Sequence, residues 1–100
     1  MNISEQWIAH SNSRFPRGYG GIDVNGICVS HVSTNASGCI SSYVNGNLKT
    51  LDLERFQMLQ KCIKELEQVL PHIDGEAYIY FSRLHDMCVS VTTETEISSK

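Results

Sequence analysis

The side chains best suited to hold a metal or attack a carbonyl are four histidines, His10, His31, His72 and His85, and four cysteines, Cys28, Cys39, Cys62 and Cys88. Their tightest spacings are Cys28-x-x-His31 and His85-x-x-Cys88. Zinc takes several such ligands converging in space, and residues three apart on a strand point to opposite faces. Neither pair makes a chelate, so no metal is expected. A Cys–His nucleophile pair would assemble only in the fold, yet every cysteine lies in an apolar, periodic stretch where a buried and inert thiol is the expectation. The cysteines form no CxxC, which points to reduced thiols in a cytosolic compartment.

Other groups are equally short of a catalytic pattern. Gly18-Tyr-Gly-Gly21 has the glycine density of a phosphate-cradling loop, but no Gly-Lys-Ser/Thr accompanies it. Asp74, Glu76 and Asp86 fall near expected turns, and a glycosidase-like pair would need two of them opposed across a cleft. No catalytic residue and no cofactor is expected from these patterns.

Charge narrows the partner class. Eight Lys and Arg face eleven Asp and Glu, for a net charge of −3. That is the wrong sign for a surface that neutralises phosphates, so nucleic acid is not an expected partner. The imbalance sits in the second half: Asp52, Glu54, Glu65, Glu67, Asp74, Glu76, Asp86, Glu94 and Glu96 exceed Arg55, Lys61, Lys64, Arg83 and Lys100 by four, while residues 1–51 carry a net +1. Such a half could meet a basic partner. Met1 to Gln6 has no signal-peptide pattern, and no run approaches the apolar length of a membrane span. A cytoplasmic protein with no membrane partner is expected.

The elements that would position these groups fit one domain of 100 residues. Ser4 to His10 opens with a capping residue and predicts a short N-terminal helix with Trp7 and Ile8 turned inward. Asn12 to Gly21 collects turn formers around Arg14, Arg17, Phe15 and Tyr19 and predicts a loop. Asn25-Gly26 and Asn45-Gly46 suit two-residue hairpin turns. They predict strands at 21–24, 27–33, 39–44 and 47–51, an antiparallel meander with its middle turn at 34–38.

Asp52 as cap, Leu51 and Phe56 as staple and Pro71 as terminator frame a helix over 53–70 with Phe56, Leu59, Ile63, Leu66 and Leu70 buried. The last stretch supports two readings. Ala77, Tyr80, Phe81, Leu84, Met87, Cys88 and Val91 would line a helix, whereas Tyr78–Phe81 and Val89–Thr95 alternate and are rich in β-formers. The hairpin, turning near His85-Asp86, is the reading adopted. The fold class is then α+β: an antiparallel sheet, meander plus C-terminal hairpin, packed against one long α-helix.

In that fold Tyr43, Tyr78 and Tyr80 share the sheet face opposite the helix. Tyrosines among polar neighbours suit protein recognition, since they add contact area at little entropic cost. Asp74, Glu76 and Glu94 would steer a basic protein toward them. The competing reading covers this face with Trp7 and Ile8 of the first helix.

The run LDLERFQMLQKCIKELEQVLPHIDGEAYIYFSR, Leu51 to Arg83, in a small acidic chain resembles bacterial immunity proteins, the cytosolic antitoxins of polymorphic and contact-dependent toxin systems. The resemblance implies a non-enzymatic inhibitor that binds a cognate toxin, such as a nuclease, over or beside its active site. It carries no site residues. The alternatives are a small enzyme or ligand-binding domain using the Arg14–Gly21 loop, and a phage-encoded inhibitor.

Overall fold

The computed structural model describes residues 2–98. Asn2 starts the first helix, α1 (Ile3–Ser11): its side chain accepts from the Glu5 N–H at 2.8 Å, and the Glu5 carboxylate accepts from the Asn2 N–H at 3.2 Å. This reciprocal pair satisfies two otherwise orphan donors. Asn25 and Gly26 both take positive φ, 52° and 78°, and join β1 (Asp23–Val24) to β2 (Ile27–Cys28) as the expected antiparallel hairpin. There the meander ends.

Residues 29–45, expected as strand, turn and strand, form one helix, α2 (Val29–Asn45). Its buried residues are Val29, Val32, Ser33, Ala36, Cys39, Ile40 and Tyr43, the three-four spacing of a single helical face. Burial of that stripe outweighs the weak preference of its Val, Ile, Ser and Thr residues for other conformations, which is worth only tenths of a kcal/mol per residue. Asn45-Gly46 is a helix end rather than a hairpin turn: the Gly46 N–H donates to the Ser42 carbonyl at 3.1 Å, and Leu48 turns back with φ 56°.

The chain then passes through β3 (Thr50–Asp52) into α3 (Leu53–Val69), the long helix that was expected, and a single 3-10 turn at Leu70–His72 carries Pro71. Leu59, Cys62, Leu66 and Val69 are buried, with Ile63 only half-buried. The C-terminal hairpin is also replaced by a helix, α4 (Gly75–Glu94). Its buried set is Ala77, Tyr80, Phe81, Leu84, Met87, Cys88 and Val91, the helical alternative residue for residue. The β-branched residues near its end fit because Thr92 and Thr93 return their hydroxyls to the carbonyls of Cys88 at 3.0 Å and Val89 at 2.7 Å.

Among the described residues the protein is thus built of four helices and two small two-stranded pairings, and the expected sheet packed on one helix is overturned. α2, α3 and α4 pack on one another around the core, and α1 lies against α4 and α2. The strand after α4, β4 (Glu96–Ser98), runs parallel to β3, Leu51 opposite Ile97, with α3 and α4 as the crossover. The four cysteines are free thiols, and no helix among the described residues is long and apolar enough to cross a membrane.

Candidate functional site

The six residues expected at the partner surface do not share one. Tyr43, 1% exposed, is inside α2's packed face, and burial together with Glu94 raises its phenol above the ordinary range. Tyr80, 9% exposed, lies 3.3 Å from the Ser33 hydroxyl across the α2–α4 contact. Only Tyr78, 45% exposed, faces outward, together with Asp74, Glu76 and Glu94. Glu76 and Glu94 stand near opposite ends of α4, about 27 Å apart along its axis. Helical periodicity is the cause, since it buries Tyr80 and sends Ile79 out, the reverse of a strand's alternation.

What the helix brings out instead meets the arginine loop. Phe15 anchors that loop, packing edge-on against Tyr80 and Phe81 with ring centroids 5.5 and 5.8 Å away, and Pro16 is buried beside it. The loop's start is held by the Ser13 N–H on the His10 carbonyl at 2.9 Å, and its end by the Gly21 N–H on the Ser30 hydroxyl at 2.9 Å. Arg14 and Arg17 remain exposed on its outer side. Between this loop and α4 opens a cleft of about 570 Å³, walled by Arg14 and Arg17 on one bank and Glu76, Ile79 and Arg83 on the other. A shallower hollow continues it along α4, past Tyr78, Ser82 and Asp86.

The electrostatics of this cleft are unusual for an acidic chain. Arg55, away from it, is bound to Asp52 at 2.9 Å and draws that carboxyl below its ordinary range. Arg14, Arg17 and Arg83 have no carboxylate within 4.0 Å among the described residues. The Arg83 Nε is buried without a hydrogen-bond partner. Behind the cleft His10, 3% exposed, has neither ring nitrogen bonded; burial and then the charge of Arg83 lower it to about 4, so it is neutral at pH 7.

The nucleophile and metal candidates lie elsewhere. Burial pushes the Cys62 thiol up to about 12 and raises Cys39 and Cys88 as well, which leaves them protonated. On a helix His85 and Cys88 share a side, yet His85 turns out to Glu67 at 3.1 Å and Asp86 at 3.4 Å while Cys88 is fully buried. Among the described residues no three His, Cys, Asp or Glu side chains are grouped to hold a metal. A second cleft, about 420 Å³, lies between α2 and the start of α3, where Asp52 and Arg55 satisfy each other.

Sequence reasoning singled out Arg14 and Arg17 but missed Ile79 and Arg83. The signal for both was the helical reading of 77–91, which leaves 78, 79, 82, 83 and 86 outside. Comparison of the chain with protein-family models, curated proteins and solved structures finds no match.

Proposed function

We propose that the protein is a non-enzymatic inhibitor of the immunity type, which docks on a cognate toxin in the cytosol through the exposed stripe of α4 and the adjoining arginine loop. The observation that carries this reading is the exposure of Tyr78 and Ile79, 45% and 61%, on a stripe flanked by three arginines that lack carboxylate partners among the described residues. Aromatic and arginine side chains are enriched at protein interfaces and dominate their hot spots. The chain exposes 5936 Å², and a standard interface needs about 800 Å² from each partner. Anchoring of the loop by Phe15 lowers the ordering cost of binding. Free thiols support a reducing compartment.

A second reading, a domain that binds a small ligand, is favoured by the cleft itself, whose volume of about 570 Å³ falls in the range of small-molecule sites. Coexpression with the product of the adjacent upstream gene, if that gene encodes a toxin, separates the two. Wild-type protein and the distant variant Lys61→Gln are expected to protect growth, and Ile79→Asp, folded by circular dichroism, to lose protection. Full protection by folded Ile79→Asp and Tyr78→Ala would overturn the docking surface.

A further inference from the structure

The cleft between the Ser13–Arg17 loop and α4 states the chemistry of its occupant. We propose that it receives an acidic peptide segment of the partner, with carboxylates against Arg14, Arg17 and Arg83 and aliphatic side chains against Ile79 and Tyr78. This rests on the docking reading above and sets the partner's local charge as negative, opposite to the basic partner expected from the net charge.

The charge and the shape of the cleft converge on it. A chain with a net charge of −3 brings three of its eight cations to one cleft and leaves them without carboxylates among the described residues. Guanidinium groups are built for bidentate carboxylate recognition, and an unmatched one gains most when a partner's acid arrives as water leaves. The Arg83 Nε, buried and unbonded, is a donor already removed from solvent and lacking an acceptor. A buried donor left so costs stability.

The walls favour a polypeptide over a compact oxyanion. Glu76 stands on the α4 bank, where its carboxylate repels any anionic group set beside it and can accept from a donor such as a peptide N–H. The cleft then runs on past Ile79 and Tyr78 toward Asp86, apolar area that a phosphate does not use. From Glu76 to Asp86 the helix advances about 15 Å. An extended chain covers that distance in about five residues.

The test is a titration of the full-length, ¹⁵N-labelled protein with the acetylated peptide Glu-Leu-Glu-Leu-Glu, its Lys-Leu-Lys-Leu-Lys counterpart, and inorganic phosphate. The expected result is that the glutamate peptide alone shifts the amides of Arg17, Ile79 and Arg83 together. Its affinity falls roughly tenfold in Arg83→Gln and falls steeply with added salt. The double variant Arg14→Gln/Arg17→Gln, changed only at exposed positions, shows the same loss if Arg83→Gln does not fold. Equal binding of the lysine peptide, shifts confined to other surfaces, or phosphate reproducing every shift would overturn the acidic peptide. No response to the glutamate peptide, while Ile79→Asp still abolishes toxin protection, would overturn the acidic occupant alone and leave the docking reading standing.

Discussion

The imidazole of His10 packs against the ring of Tyr80 with centroids 4.5 Å apart. The Tyr80 hydroxyl reaches Ser33, 3.3 Å away, so this one side chain joins α1 and α2 to α4 directly beneath the arginine cleft. Its role is to hold the floor of the cleft.

His10 makes stability depend on pH. Its folded-state value, about 4, lies below the ordinary 6.5. The unfolded chain therefore takes up a proton first as pH falls, so the stabilisation is complete above 6.5 and is lost between 6.5 and about 4. Full loss amounts to about 3 kcal/mol. Urea unfolding at a series of pH values should show this decline, and His10→Phe should flatten it. An undiminished decline in that variant would assign the effect to other groups.

Tyr80→Phe removes one hydroxyl and leaves Ser33, itself 7% exposed, without that partner. The expected cost is about 1 kcal/mol. Tyr80→Ala should cost about 3–5 kcal/mol, because it empties a core site shared with Phe15, Phe81 and His10. Both appear as lower denaturant midpoints. A surface tyrosine would show neither.

Leu66→Ala, at a fully buried position of α3, should cost about 2–5 kcal/mol through lost burial and the cavity left behind. Ile63 on the same helix is only half-buried, and Ile63→Ala should cost measurably less. Equal losses at the two would mean that α3 presents a different face to the core.

Gly46 and Gly38 should respond to alanine with opposite signs. A Cβ on Gly46 would lie 2.8 Å from the Ser42 carbonyl oxygen, against backbone that cannot move aside cheaply, and about 1–3 kcal/mol is the expected loss. Gly38 is exposed within α2 with nothing within 4 Å of an added Cβ. There alanine should gain about 0.4–1 kcal/mol by restricting the unfolded chain. Thermal melts of the two variants read the signs directly.

What was legible in the sequence was what short-range chemistry decides. Asn25-Gly26 makes the hairpin turn it suits, although the same pair at Asn45-Gly46 ends a helix, and the apolar spacing of residues 53–69 suits only a helix. The buried set of 77–91 was visible too, as one of two readings. Within 29–45 and 77–94, local preference and periodicity disagree, because both stretches carry β-branched or aromatic residues at helical spacing. Their outcome turned on how much apolar surface each conformation buries against its neighbours, which no single segment specifies.

The candidate site divides along the same line. Arg14, Arg17 and the anchoring Phe15 belong to one loop and stand out in the sequence as charge and aromatic area in an irregular stretch. Arg83 lies 66 residues beyond Arg17 in the chain and joins them only because Phe15 packs on Tyr80 and Phe81. That contact requires α4 to be a helix. With a period of two Tyr80 would face solvent and Ile79 the core; with a period of 3.6 the two exchange places, Tyr80 becomes the floor of the cleft, and Ile79 and Arg83 become its wall. The sequence by itself determined which residues are apolar, charged and able to turn; tertiary burial chose the period, and the period decided which of them line the cleft.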